Sequence, residues 1–194
     1  MSHHTTRPVD VIIPIFNAFT VTARCIENVM ITRSTCPPSR IILIDDASSD
    51  PQLLGYLDEL QQRNDADILI LRNPHNIGFV RTVNRGMSLS PTHDVILLNS
   101  DTIVTEGWIR HLAQTAYAHE NTASVTPLSN NASIYSVLRG ETIAHLMERI
   151  GLQSVAARIA EHSLHRIPDI PNGVGFCLYL RRDALKRVGL FDEV

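Results

Sequence analysis

Apolar residues follow two alternating patterns along the first hundred residues. Nearly continuous apolar runs, such as residues 9–15, are typical of strands buried on both faces of a sheet. Between them, apolar residues recur at helical spacing, as in Leu53, Leu54, Leu57 and Leu60 after Pro51. Strands are predicted at residues 9–15, 41–44, 68–71 and 95–98, and helices at 20–33, from 51 onward and at 77–89. This alternation predicts an α/β fold with a mostly parallel central sheet flanked by helices.

The second half of the chain is less regular. Its predicted elements are a helix at 108–119, a short strand at 123–127, a polar loop at 129–133, a helix-rich stretch at 141–166 with a break near Gly151, a strand at 174–180 and a helix beginning at 181–183. Neither a repeat nor a low-complexity tract is present, and the length suggests one domain, or one domain plus part of a second, with the first hundred residues similar to a nucleotide-binding half.

Composition narrows the class of protein. The 194 residues are 44% hydrophobic and 19% charged, as in a folded protein. A formal net charge of −3 argues against general nucleic-acid binding, which needs a basic face. No apolar run approaches the roughly 20 residues of a membrane span, and the N-terminus lacks the features of a secretion signal. The sequence therefore predicts a cytoplasmic protein.

Cysteine and histidine residues show no metal-binding spacing. Cys25, Cys36 and Cys177 are widely separated and are predicted to be reduced thiols without a catalytic role. His162 and His165 are interpreted as part of a solvated helix face. The patterns GxGxxG, GxxxxGK[ST] and GxSxG are all absent, so the dinucleotide fingerprint, the P-loop and the nucleophile elbow are unsupported.

Polar residues collect where the predicted strands end, which is where open α/β sheets bind ligands. Asp50 precedes Pro51 and is interpreted as a helix cap. One cap needs only one carboxylate, so the adjacent Asp45 and Asp46 are also candidates for a functional site. Gly78 lies near a predicted helix start, where either close approach to phosphate or a simple tight turn is compatible with the sequence.

The segment Asn99-Ser100-Asp101 follows the fourth predicted strand. It places two oxygen-bearing side chains on one side of an extended segment, and hard cations such as Mg²⁺ or Mn²⁺ prefer oxygen ligands together with phosphate oxygens. An ordinary Asx turn at the end of a strand would have the same residues. The three residues alone leave both interpretations open.

Taken in order, several stretches resemble the family-2 glycosyltransferases of the GT-A fold. The matching stretches are residues 9–17, IILIDDASSD at 41–50, NPHNIGF at 73–79 with NRG at 84–86, and VILLNSDTIV at 95–104 with Gly107-Trp108. A second block, TPLSNNASIYS at 126–136 and PNGVGFCLYLRRDALKRVGLFDE at 171–193, is similar to bacterial members that build polysaccharide or O-antigen chains. The resemblance implies a GT-A fold with a nucleotide-sugar-binding half at 1–101 and a metal and acceptor side at 102–194.

The resemblance also implies roles for individual residues. Pro14, Phe16 and Asn17 would line the nucleotide pocket, and Asp45 would accept a hydrogen bond from a pyrimidine N3–H. The remaining donor-binding residues would be Asp46, Gly78, Arg81 near the diphosphate, Asn99, Ser100 and Asp101. Asp101 and Asn99 would hold Mn²⁺ or Mg²⁺ in a DxD-like motif, with Asn99 replacing the family's first aspartate. Residues on the acceptor side would be Gly173, Gly175, Phe176 and Asp192.

The implied reaction is inverting, metal-assisted transfer of a hexose from a UDP- or dTDP-sugar to a glycan or lipid-linked acceptor. The family's catalytic base lies in an acidic motif shortly after the FDE segment, so we expect the base beyond Val194 and the chain to be incomplete at its C-terminus. Such acceptors imply a cytoplasmic protein that associates peripherally with the inner face of the membrane. The alternatives are a sugar-phosphate nucleotidyltransferase and a non-catalytic nucleotide- or glycan-binding module.

Overall fold

The computed structural model describes residues 7–33, 37–132, 135–137 and 141–193, so that Cys36, Ser133 and Val194 lie outside the described residues. The strands are β1 (Val9–Ile15), β2 (Ser39–Asp45), β3 (Ile68–Arg72), β4 (Asp94–Leu98), β5 (Ser124–Val125) and β6 (Cys177–Leu180). The helices are α1 (Phe19–Thr32), α2 (Pro51–Gln62), α3 (Gly78–Met87), α4 (Trp108–Ala116), α5 (Glu141–Ile150), α6 (Leu152–Glu161) and α7 (Arg182–Val188).

These strands form one mostly parallel sheet in the order β3-β2-β1-β4-β6-β5. The first four are parallel to their neighbours, whereas β6 is antiparallel to both β4 and β5. The predicted α/β fold is confirmed, as is the break between α5 and α6 at Gly151. The strand predicted at 174–180 begins only at Cys177, because residues 174–176 line a cleft instead.

Both faces of the sheet are covered, which explains the continuous apolar runs. On β1, Val11 and Ile13 pack into one cluster with residues of α1, α2 and α4. Ile12 points to the other face and packs with residues of α3 and α7. Gly86 lets α3 approach this face closely, because a Cβ there would lie 2.8 Å from Ile12 Cγ2 and 2.9 Å from Ile44 Cδ1. A larger side chain at position 86 would have to displace fully buried atoms.

Two fully buried carboxylates lie near the N-terminal ends of β1 and β4. Asp10 interrupts the apolar run of β1 and is bound by Arg40 through two N–H groups at 3.0 and 2.8 Å. His93 Nδ1 lies 2.9 Å from the same carboxylate. Asp94 accepts three hydrogen bonds from groups on other elements. Both carboxylates are therefore hydrogen-bonded, as buried charges must be, and both lie at the sheet edge opposite the strand ends predicted to bind ligands.

The last described residues dock on α3 through a buried asparagine. Asn84 Nδ2 donates to the Phe191 carbonyl at 2.8 Å and to Glu193 Oε1 at 3.0 Å. In return, the Phe191 N–H donates to Asn84 Oδ1 at 3.0 Å. Arg81, one turn earlier on α3, lies 3.4 Å from Glu193. Residues 191–193 therefore run along α3 toward the start of that helix.

Cys25 and Cys177 are free, buried thiols, which agrees with the sequence interpretation. Burial raises the pKa of each to about 12, so both stay protonated at neutral pH. His162 and His165 are exposed, as predicted, but α6 ends at Glu161, so they do not form the predicted helix face. None of the helices in the described ranges combines the length and the apolar character that a membrane crossing requires.

Candidate active site

Most of the predicted site residues lie at one edge of the sheet. Because β1, β2 and β4 are parallel, their carboxyl ends meet there. Pro14 lies in β1 opposite Ile44, and Phe16 follows the strand with 54% of its surface exposed. Asp45 is the last residue of β2, Asp46 comes directly after it, and Asn99 comes directly after β4. The topology therefore brings the predicted nucleotide residues and the DxD-like segment to the same edge.

Asn17 organises the turn between β2 and α2. Its backbone N–H donates to Ser48 Oγ at 2.8 Å, and its side-chain oxygen accepts from the N–H groups of Ser49 at 2.8 Å and Asp50 at 3.2 Å. Asn17 has a φ of 57°, which asparagine tolerates better than most residues. The side-chain oxygen is thus occupied by the protein's own backbone, and it fixes residues 48–50 beside β1.

Asp45 and Asp50 take different positions in that turn. Asp45 is buried, with 2% of its surface exposed, and its Oδ1 accepts from the Ser48 N–H at 3.0 Å. Asp50 accepts from the Gln52 N–H at 3.0 Å at the start of α2, which confirms the predicted cap. Asp50 also accepts from the Phe19 N–H at 3.4 Å and so joins the starts of α1 and α2.

Asp46 caps a helix 31 residues further along the chain. Its carboxylate accepts from the N–H groups of Ile77 and Gly78, each at 2.9 Å, and from Asn73 Nδ2 at 2.7 Å. Burial alone would raise the pKa of Asp46, but these three donors offset it and hold the pKa below its ordinary value. The start of α3, including Gly78, is therefore already neutralised by a carboxylate of the protein.

We expect Asp46→Ala to lower the free energy of unfolding by about 2–3 kcal/mol at pH 7, because it leaves buried donors without their acceptor and removes a helix cap. The lowered pKa adds a pH dependence. The carboxylate contributes stability above the unfolded pKa, near the ordinary value of 3.8, and loses it as the pH falls through the lower folded pKa. Urea unfolding at pH 7 and at pH values below 3.8 would measure both effects.

Two further variants make the Asp46 test specific. The stability difference between wild type and Asp46→Asn should narrow as the pH falls, since both side chains are then uncharged. Asp58 is exposed and pairs with Arg72 on the surface, so Asp58→Ala should change stability by about 1 kcal/mol or less at pH 7. An Asp46→Ala protein as stable as Asp58→Ala would contradict the capping role.

The segment Asn99-Ser100-Asp101 is held at the end of β4 by its backbone. The Asn99 N–H donates to the Phe176 carbonyl at 2.9 Å, and the Asn99 carbonyl accepts from the Thr102 N–H at 3.1 Å. The Asn99 side chain is half-buried and lines a cleft, whereas Asp101 is exposed. These contacts fix the backbone from which the side chains of the two predicted metal ligands, Asn99 and Asp101, extend.

The residues fit a divalent cation that is shared with a substrate. Across the described ranges, no group of three or more His, Cys, Asp or Glu side chains converges on a point. Asp101, Asn99 and Ser100 offer a few hard oxygen ligands at an accessible position. Mg²⁺ and Mn²⁺ accept such ligands and fill their remaining positions with water and phosphate oxygens.

A cleft of about 470 Å³ opens beside Asn99. Its volume lies in the range of small-molecule sites. The lining includes three residues predicted for the site, namely Asn99, Gly175 and Phe176, and four that the sequence interpretation did not select, namely Phe79, Asn131, Ala132 and Val174. One wall is therefore the first turn of α3, and another is the loop before β6.

The loop before β6 is fixed by a close approach at Gly173. A Cβ at that position would lie 2.5 Å from Leu178 Cδ1 and 3.1 Å from Thr126 Oγ1. The next N–H, of Val174, donates to Thr126 Oγ1 at 3.0 Å. At Gly175, by contrast, a Cβ would meet no atom within 4 Å. Gly173 thus shapes the loop, whereas Gly175 keeps the cleft open.

Arg81 and Asp192 lie on a neighbouring surface. Arg81 pairs with Glu193 at 3.4 Å, with 58% of the Arg81 side chain exposed. Asp192 is exposed between Phe191 and Glu193. Neither residue lines the cleft: Arg81 lies in α3, and Asp192 lies in the segment 191–193 that runs along that helix. Their roles toward diphosphate and acceptor remain predictions.

The cleft also contains Phe79, which lies in the segment NPHNIGF but is not among the predicted site residues. No signal in the sequence marks it as a cleft residue, because Phe79 lies four residues before Val83 and eight before Met87, on the same apolar stripe of α3, and that spacing favours a position in the core. Asn131 and Ala132 lie in the polar loop at 129–133, and no spacing in the sequence indicates which of its residues face the cleft.

Comparison with known sequences identifies the family. The sequence model described as Glycosyl transferase family 2 matches residues 10–189. The chain belongs to glycosyl transferase family 2. This is a family of nucleotide-sugar glycosyltransferases, which favours that class over a sugar-phosphate nucleotidyltransferase.

One bacterial relative of this family 2 domain is the glycosyltransferase GlyG of Streptococcus pneumoniae serotype 4. The two are 27% identical over 106 residues, which is 55% of this chain and 34% of GlyG. The chain thus spans about a third of the length of that relative.

Solved structures show the same fold as this family 2 domain. The mannosyltransferase PcManGT of Pyrobaculum calidifontis, in complex with GDP-Man and Mn²⁺, aligns with a TM-score of 0.67 and 16% identity over 98% of this chain and 49% of its own. GalNAc-T7 with UDP, GalNAc and Mn²⁺ aligns with a TM-score of 0.67 and 18% identity over 98% of this chain and 38% of its own. Residues 1–349 of S. aureus TarS align with a TM-score of 0.63 and 16% identity over 96% of this chain and 50% of that one. These similarities establish the GT-A fold.

Proposed function

We propose that this chain binds a UDP- or dTDP-sugar together with Mn²⁺ or Mg²⁺ and supports inverting transfer of the sugar to a glycan or lipid-linked acceptor. The observation that carries the proposal is the cleft of about 470 Å³, which opens beside the DxD-like segment at the carboxyl edge of the sheet. In the proposal, residues 1–101 bind the nucleotide-sugar, and residues 102–194 complete the metal and acceptor side.

The nucleotide is assigned to the ends of β1 and β2. The exposed ring of Phe16 offers a flat apolar surface to a base. Asp45 supplies a carboxylate that can accept from the N3–H of uracil or thymine. Asn17 supports the base site indirectly. Its side-chain oxygen accepts hydrogen bonds from backbone N–H groups and so holds the turn at residues 48–50 in place. These features support a preference for pyrimidines that carry an N3–H donor.

The diphosphate is assigned to the end of β4. Asp101 and Asn99 would hold the divalent cation, whose positive charge offsets the charge that develops on the leaving diphosphate. In the transfer, the acceptor hydroxyl gives its proton to a carboxylate base outside the described lining of the cleft, its oxygen bonds to the anomeric carbon from the face opposite the diphosphate, and the bond from that carbon to the diphosphate oxygen breaks, so that the nucleoside diphosphate leaves with the electron pair. Among the described residues that line the cleft there is no carboxylate, so the proposal assigns no base to them.

Location follows from the substrates in this proposal. Nucleotide-sugars are made in the cytoplasm and lipid-linked acceptors lie in membranes, so the proposed location is the cytoplasm, at the inner face of the cytoplasmic membrane. The acidic balance of the chain, with a net charge of −3, gives no support to nucleic acid as an alternative partner.

Thermal unfolding with UDP, dTDP, GDP and CDP, each with and without Mn²⁺, tests the proposal. A nucleotide present at 100 times its dissociation constant stabilises the folded state by about 2.7 kcal/mol. We expect manganese-dependent stabilisation by UDP or dTDP that exceeds the effect of CDP, because cytosine has no N3–H to donate to Asp45. Each nucleotide with EDTA is the control.

The same assay separates an enzyme from a binding module. Metal-dependent nucleotide binding together with slow hydrolysis of one sugar donor would support the transferase. No stabilisation by any nucleotide, in a sample that unfolds cooperatively, would contradict the proposal. Glycan binding without nucleotide binding would indicate a non-catalytic module instead.

A further inference from the structure

Two phenylalanine rings are exposed at the carboxyl edge of the sheet. Phe16 follows β1 and is 54% exposed, and Phe79 lies in the first turn of α3 and is 46% exposed. Only Phe79 is among the residues that line the cleft of about 470 Å³. A large aromatic ring that is exposed within a cleft is available to pack on a ligand, and burial by that ligand would supply stabilisation that the free protein lacks.

Two N–H groups at the helix start beside Phe79 already have an acceptor. The N–H groups of Ile77 and Gly78, which would face an anion at the start of α3, both donate to the Asp46 carboxylate at 2.9 Å. That carboxylate also neutralises the positive end of the helix. The first turn of α3 therefore presents an apolar ring to the cleft, and the diphosphate is left to the segment at Asn99 and Asp101.

The lining of the cleft combines an apolar side with amide groups. Phe79, Val174 and Phe176 supply apolar surface, and Asn99 and Asn131 supply amide donors and acceptors. A sugar ring has the complementary character. Its C–H groups form an apolar face with slight positive charge, which suits the negative face of an aromatic ring, and its hydroxyl groups around the edge can hydrogen-bond to amides.

We propose that Phe79 is a specificity-determining residue, on which the C–H face of the donor sugar packs. The inference rests on the proposed function, since it takes the nucleotide-sugar as the ligand and assigns the sugar to the cleft. Asn99 is the first residue of the DxD-like segment and also lines the cleft. A sugar attached to a diphosphate at that segment would therefore lie next to the cleft. Phe79 then contributes to the affinity for the sugar and not to that for the nucleotide.

Calorimetric titration of UDP and of UDP-glucose, UDP-galactose and UDP-N-acetylglucosamine, all with Mn²⁺, tests this assignment. Phe79→Ala is expected to weaken at least one UDP-sugar about three- to tenfold while UDP binding stays within about twofold. Phe79→Tyr should keep wild-type affinity, because it keeps the ring. Phe79→Leu, which is apolar but has no ring face, should behave more like Phe79→Ala.

Phe16→Ala is the matched control, since it removes an equally exposed ring outside the cleft. It is expected to weaken UDP and UDP-sugars by the same factor and to leave their ratio unchanged. The inference alone is overturned when UDP binding is intact but Phe79→Ala leaves every ratio of UDP to UDP-sugar affinity at the wild-type value. Failure of wild type to bind any of these nucleotides, or dTDP under the same conditions, would overturn the proposed function and the inference together.

Discussion

Asp94→Ala is expected to lower the free energy of unfolding by about 3–5 kcal/mol, a large share of the stability of a typical domain. Asp94 is fully buried and accepts from the hydroxyl groups of Tyr117 at 2.7 Å and Tyr179 at 2.8 Å and from the Arg182 N–H at 2.7 Å. Alanine would leave all three donors without an acceptor in the interior and would leave a cavity. Urea unfolding at pH 7 measures the loss.

The tyrosines at Asp94 supply a graded comparison. Burial, and then the hydrogen bond to Asp94, raise the pKa of Tyr117 to about 12, and burial with the Asp94 charge raises the pKa of Tyr179 as well. Both hydroxyls are therefore donors at neutral pH. Tyr117→Phe removes one donor and keeps the acceptor, so it should cost only about 1 kcal/mol. Equal losses for Asp94→Ala and Tyr117→Phe would contradict a central role for the carboxylate.

The second large effect is a loss of Mn²⁺ affinity, expected at the proposed donor site. Asp101→Asn is expected to weaken Mn²⁺ binding in the presence of UDP by at least about 100-fold, because it removes the carboxylate of the DxD-like segment, and loss of a residue that merely supports a metal ligand already costs 10- to 100-fold. Asp101 is exposed, so the folded structure should be unaffected. Titration of Mn²⁺ into the protein with saturating UDP measures the change.

Asn99→Asp is the reciprocal variant for the metal site. It places a second carboxylate on the segment, and carboxylates bind hard cations more strongly than amides, so Mn²⁺ affinity should rise by about tenfold. Asp58→Asn, on the exposed surface of α2, is the control for the loss of a negative charge elsewhere. Unchanged Mn²⁺ affinity in both site variants would show that Asn99 and Asp101 are not the metal ligands.

Local sequence patterns were sufficient to predict most of the helices and strands. Residues 9–15 of β1 and the boundary at Gly151 were predicted closely, because a buried strand needs continuous apolar residues and a glycine ends a helix in a conformation that other residues avoid. The cap at Asp50 was likewise predicted, since a cap and its N–H partner are two residues apart. The orientations of β5 and β6 were not predicted, because strand pairing is a long-range property.

Side-chain contacts between residues that are far apart in the sequence could not be predicted from local patterns either. Asp46 was a candidate for the site because it follows a strand, and nothing local indicates that it caps a helix 31 residues later. The contacts of Asn84 with residues 191 and 193 span 107 and 109 residues. Phe79 was missed for a related reason, because its spacing puts it on the apolar stripe of Val83 and Met87, and nothing local indicates that the ring is left 46% exposed in the first turn of α3.

The insertion of β6 between β4 and β5 has a consequence for synthesis on the ribosome. β4 ends at Leu98, but its antiparallel partner begins only at Cys177. At about 5–20 residues per second, translation of the intervening chain takes about 4–16 s. Throughout that interval the nascent sheet has an open, apolar edge at β4 that can pair with strands of other chains. Chaperone protection matters most for this protein in that period, after the parallel core has emerged and before its edge is closed.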